Sequence, residues 1–143
     1  MPIRRQHRFF YPIDWRELSA IVRFERARGR CERCGRPHGQ TVAHLGDGRW
    51  WDVERGAWRS GRGRVLRSLA PLTGETVVRF TKVTLATAHL DHDPGNNDLS
   101  NLKALCQRCH IIHDKAEHLR QRRITYRKRR ALGDLFLGRY PGP

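Results

Sequence analysis

The chain has 143 residues, which fits one domain with a modest core. Lys and Arg number 29 against 14 Asp and Glu, giving a formal net charge of +15 and a pI near 11.2, while apolar residues are 38% and mean hydropathy is −0.74. No apolar run approaches the roughly 20 residues that cross a bilayer, which excludes a helical membrane protein, and the Arg-dominated excess points to nucleic acid as the polyanionic partner.

Residues 1–13 form a basic arm with aromatics, expected to be extended and to order on a partner. The arm lacks the apolar core of a secretion signal, and cysteines in metal-like pairs suit a reducing cytoplasm. Residues 14–36 read as a helix and a first metal knuckle. Asp14 can cap the helix, with Glu17 three residues on completing a capping box. Trp15, Leu18 and Val22 recur at helical spacing, Ile21 widens the stripe, and Gly29 offers the stop. The helix leads to Cys31-Glu-Arg-Cys34, where Gly35 permits a tight turn.

Residues 37–74 read as an insertion rich in Gly and Arg that carries three Trp. Its Gly-rich turns suggest one or two short hairpins. Two readings of Trp50, Trp51 and Trp58 stand side by side. They make a small satellite core, or they form a wing that lays Trp50 and Trp51 on nucleic acid. His44 is a lone histidine in a loop, a weak ligand candidate.

Residues 75–118 hold the densest chemistry. The Val-, Thr- and Phe-rich run over 75–90 alternates and reads as one strand. A loop, DPGNNDLS, follows it. Residues 101–105 lead to a second Cys-x-x-Cys, and His110 opens a helix toward Arg130. Residues 119–143 are a basic helix and a tail. Within RQRRITYRKRR, seven of eleven residues are basic and none is acidic. Arg120, Arg122, Arg123, Arg127, Lys128, Arg129 and Arg130 are therefore read as phosphate contacts. Leu135, Phe136 and Leu137 are expected to fold back on the body.

Cys31, Cys34, Cys106 and Cys109 are the chain's four cysteines. Two Cys-x-x-Cys pairs suit one tetrahedral zinc, and four thiolates leave no open position, so the ion is structural. A disulfide or redox pair is the alternative.

Phosphodiester hydrolysis needs an activated water and neutralisation of the charge that develops on phosphorus and the leaving oxygen. His92 suits the first task, because neutral imidazole accepts a proton near neutral pH. Asp91 and His110 suit the second as ligands of Mg²⁺ or Mn²⁺, with Ni²⁺ or Zn²⁺ as alternatives. On a regular strand His89 and Asp91 share a face and His92 lies opposite, which keeps His89 as an alternative ligand. His113 reads as a phosphate contact or surface group. Asp114 reads as a hydrogen-bond acceptor behind a ligand or as part of a charged helix face.

The order Asp91-His92, Asn101 and Cys-x-x-Cys-His110 resembles the HNH endonuclease family of His-Me finger nucleases, over about residues 14–123. The resemblance implies an α+β domain: a small zinc-stapled ββα-metal core, flanked by N- and C-terminal helices and carrying the Gly/Trp/Arg-rich hairpin insertion. It implies His92 as general base, Asn101 holding the loop, and Asp91 and His110 on a catalytic divalent ion. It also implies DNA cut to 5′-phosphate and 3′-hydroxyl ends. One residue, Asp93, separates His92 from Pro94 where the family often has two, so Asn96 and Asn97 rival Asn101. The other functions open to such a chain are a non-catalytic zinc-knuckle binder of nucleic acid and an RNA-directed nuclease. A pure binder has no need of Asp91, His92 and His110 together.

Overall fold

The structure, a computed structural model, describes residues 5–67 and 77–136. The described residues open with a short 3₁₀ turn, Arg5–Phe10, in place of the expected extended arm. Helix α1, Trp15–Ala20, then runs on as a π-helical turn, Ile21–Arg26. The capping box does not form. Asp14 makes no side-chain cap; its backbone carbonyl instead accepts from the Glu17 and Leu18 amides at 2.9 and 3.0 Å. Arg28 and Gly29 stop the helix with φ of +50° and +67°. Val22 is fully buried against Leu102 and Ala104, with Trp15 and Leu18 packed beside them, whereas Ile21 is exposed.

The insertion builds a sheet. Strands β1 (Thr41–His44), β2 (Trp50–Asp52) and β3 (Ala57–Arg59) form an antiparallel meander, and β4 (Arg79–Lys82) joins the free edge of β1, giving the order β3-β2-β1-β4. The run read as one strand is in fact two, because β5 (Leu85–His89) belongs to a second sheet. Backbone partners explain the break. The Val83 amide donates to Gln40 O and its carbonyl accepts from Gly39 N–H, both at 2.8 Å. Gln107 closes the corner, donating to Lys82 O at 2.7 Å and accepting from Thr84 N–H at 3.0 Å.

Strand β5 pairs antiparallel with β6 (Leu102–Cys106), in register from Leu85 opposite Cys106 to His89 opposite Leu102. Helix α2, Gln107–Phe136, follows at once, so it starts before His110 and takes Cys109 into its first turn. The chain is thus mixed α+β, with small sheets and a hairpin running into a long helix. Leu135 and Phe136 are the end of α2 rather than a returning tail, and Leu137 lies outside the described residues. Among the described residues, no helix is long and apolar enough to cross a membrane.

The main core joins both sheets: Val42, Trp50, Val83, Leu85, Ala88 and Leu105 pack around the four cysteines. Trp50 has no exposed surface, which corrects its placement against nucleic acid. Its indole N–H finds no acceptor among the described residues. Trp51 and Trp58 meet edge to face at 5.7 Å and are only partly buried. The β2–β3 pair is locked by Asp52, 2% exposed, which accepts from Arg59 Nε at 2.7 Å.

Candidate metal centre and histidine site

The first knuckle is shaped by Gly35, whose φ of +77° lets its amide donate to Cys31 O at 2.8 Å. Glu32 ties this knuckle to β6: its amide donates to Ala104 O at 2.9 Å, and its carboxylate accepts from the Ala104 amide at 2.6 Å. Arg26 bridges the same carboxylate, at 2.9 Å, to Leu102 O, at 2.6 Å. The result is a cluster in which the sulfurs of Cys31, Cys34, Cys106 and Cys109 all lie within 4.8 Å of one another, with Cys34 and Cys106 at 3.6 Å. Tetrahedral zinc with Zn–S near 2.3 Å sets its sulfurs about 3.8 Å apart. All four cysteines are free thiols and no disulfide joins them in this structure.

Without a cation the thiols compete for protons. A hydrogen bond from Cys106 holds Cys31 below the usual thiol range, and one from Cys109 lowers Cys106 to about 6. Cys106 in turn pushes Cys34 and Cys109 up. A divalent cation removes that conflict by taking all four as thiolates. This buried group can hold a structural metal such as zinc.

The loop between β5 and β6 is organised by Asp91. Its carboxylate accepts from Asn101 Nδ2 at 2.8 Å, from the Asp93 amide at 2.9 Å and from Asn96 Nδ2 at 2.7 Å. These bonds, Asn101 first, hold the acid down at about 2. Asn101 also accepts from the Asp91 amide at 3.1 Å and donates to Asn96 O at 2.9 Å, so it spans the loop. Asn97 turns elsewhere, to His89 Nε2 at 3.1 Å and Phe10 O at 3.2 Å.

Asn101→Ala is expected to raise the Asp91 pKa from about 2 toward 3.8, read by carboxylate NMR. The folded value is depressed, so the linked stability is present above the ordinary carboxylate range. It is lost as pH falls through about 2. An unchanged Asp91 titration in the variant would remove Asn101 as the dominant partner.

His92 leaves the strand direction with φ of +62°, a left-handed conformation rare for a non-glycine residue. That turn carries its ring to α2. His92 Nδ1 lies 3.5 Å from Asp114 Oδ1, and His110 Nε2 lies 3.2 Å from Asp114 Oδ2. The His92 ring stacks on His113 at 4.5 Å, and His113 Nε2 is anchored on His89 O at 3.1 Å. His92, His113 and Asp114 thus present three donor atoms within 4.8 Å of one another. Burial holds His110 below the usual histidine range despite the opposing effect of Asp114.

Of the expected ligands, Asp91 is engaged in the loop and is not part of this donor group. His89 packs its ring on Trp15, stacked at 5.3 Å, and edge-on to Tyr11 at 5.6 Å. Asp114 and His113, and neither Asp91 nor His110, are grouped with His92 as donors that could hold an ion. Their spacing of four and three residues from His110 is the signal that could have found them, since such residues share a helix face.

Basic side chains surround this corner. A cavity of about 400 Å³ is lined by Arg33, Arg62, Lys103 and His113, together with Leu90, Leu105 and Glu32, whose carboxylate is held by Arg26 and the Ala104 amide. Farther along α2, Arg122, Arg123, Arg127, Lys128, Arg129 and Arg130 are exposed, while Arg120 pairs with Glu117 at 3.2 Å. No protein-family model, curated protein or solved structure matches this chain.

Proposed function

We propose that the protein is a metal-dependent endonuclease of the HNH type that hydrolyses DNA phosphodiester bonds with His92 as general base. The observation that carries this reading is Asp114 lying between His92 and His110 where the β5–β6 loop meets α2. A carboxylate beside Nδ1 fixes the imidazole tautomer and orients the ring, leaving Nε2 free to take a proton from water. The resulting hydroxide attacks phosphorus, the bond to the 3′ oxygen breaks, and that oxygen takes a proton from solvent. The products are a 5′-phosphate and a 3′-hydroxyl.

A divalent ion held by Asp114 with His113 or His110 would neutralise charge on the phosphate and the leaving oxygen. Asp91 keeps a role one step away, because its hydrogen bonds set the course of the loop that aims His92. The exposed basic stretch of α2 and the cavity lined by Arg33, Arg62 and Lys103 support a phosphate backbone running past His113.

The test is supercoiled plasmid incubated with protein and Mg²⁺ or Mn²⁺. Nicked circles should appear with added ion and not without it. A plasmid that stays supercoiled with either ion, while a gel shift shows it bound, would make the protein a binder and end the nuclease reading.

A further inference from the structure

Three arginines from separate parts of the chain converge on one pocket that no carboxylate lines and whose lining reaches Cys106 of the metal centre. Arg36 follows the first knuckle, Arg79 opens β4, and Arg108 lies in the first turn of α2. With His44 and Thr81 they border a cavity of about 270 Å³ that His92, His110, His113 and Asp114 do not line. Arg36 is 5% exposed, and its hydrogen bond among the described residues goes to Gly48 O at 3.2 Å. Arg108 reaches Gly61 O at 3.5 Å. Among the described residues, the arginines in ion pairs with carboxylates are Arg26, Arg30, Arg49, Arg59 and Arg120. Asp47, close by in sequence, is held by Arg49 at 2.6 Å.

The insertion passes close to this charge. A Cβ added at Gly48 would collide with the Arg108 guanidinium, and one at Gly61 would come within 3.1 Å of it. His44 accepts from the Gly46 amide at Nδ1, 3.2 Å, so Nε2 carries the proton and faces Thr81 Oγ1 at 2.9 Å. Burial, and then the charges of Arg36, Arg79 and Arg108, keep this imidazole neutral by lowering its pKa. Clustered like charges repel, more strongly where one is buried; the thiolates behind Cys106 offset part of that charge from one side, and an anion in the cavity offsets it from the open side. Converging guanidinium groups match the oxygens of phosphate.

We propose that Arg36, Arg79 and Arg108 form an anion site that binds a phosphate group, separate from the His92–Asp114 cluster. The site stands whether or not the protein cuts DNA. Under the nuclease reading its occupant is a backbone phosphate away from the scissile one.

Histidine side-chain NMR during titration with inorganic phosphate, against chloride at matched ionic strength, tests it. The His44 resonances should shift saturably with phosphate and not with chloride. Arg79→Gln, on an exposed strand position, should weaken that binding about tenfold. Arg49→Gln removes the same charge from a residue already paired with Asp47, and should leave binding unchanged. A DNA duplex that competes with phosphate at His44 assigns the site to backbone phosphate, whereas DNA binding without competition assigns it to free phosphate. No saturable shift, or equal weakening by both variants, overturns the site. A phosphate shift in a protein that fails to nick plasmid ends the nuclease reading and leaves this site in place.

Discussion

Cys106→Ser is expected to cost the protein its cooperative fold. Cys106 ends β6 and packs at the centre of a core whose other members come from both sheets, and it is 1% exposed. Zinc held by four thiolates contributes on the order of 10–16 kcal/mol, while a domain of this size has a net stability of about 5–15 kcal/mol. Losing one thiolate leaves three sulfurs and a buried hydroxyl, a far poorer set for zinc. The parent should carry about one tightly held zinc per chain and melt in one transition, and a strong chelator should abolish that transition. The variant should behave like the chelated parent. If it melts as cooperatively as the parent, and the parent ignores the chelator, the four thiols are packed as ordinary apolar side chains and no metal holds them.

The cysteine cluster was legible in the sequence because its information is local. Each Cys-x-x-Cys brings two thiols together, the first on a turn closed by Gly35 and the second where β6 runs into α2, and the two pairs have one another as partners. The histidine site was legible only in part. Asp91 and His92 are adjacent, and which of them faces α2 depends on the backbone at His92. The φ of +62° there sits beside a loop in which Asn101, Asn96 and the Asp93 amide share the Asp91 carboxylate. No pattern along the chain records that network.

The break between β4 and β5 was hidden for a similar reason. Alternation continues through Val83 and Thr84, but the side chain of Gln107, more than twenty positions later, takes the ladder's hydrogen bonds. Trp50 illustrates the other limit. Composition alone cannot tell an aromatic on a wing from one under it. The core needed a large apolar residue where the insertion sheet meets the cysteines, and that requirement is tertiary.

His92→Ala is expected to lower the nicking rate by about a hundred- to ten-thousand-fold, the range for removing a general base, with DNA affinity preserved. Among the described residues the side chain makes no hydrogen bond that organises the loop, and its ion-pair neighbour is Asp114 at 3.5 Å. The variant should therefore keep the parent's melting temperature. His92→Gly sharpens the test. A left-handed residue with a Cβ carries strain of about 1–2 kcal/mol, and Gly relieves it, offset by the greater freedom of the unfolded chain. That variant should be inactive and at least as stable as His92→Ala. A residue kept for structure would show the reverse, with stability and activity falling together. Asp114→Asn separates the two remaining roles. If Asp114 only orients His92, the neutral amide should reduce turnover with little change in the ion concentration required. If it also holds the ion, half-maximal activity should need much more Mg²⁺ or Mn²⁺. Normal cutting by His92→Ala would return the base to another group, and His113, stacked on His92 at 4.5 Å, would be the next imidazole to remove.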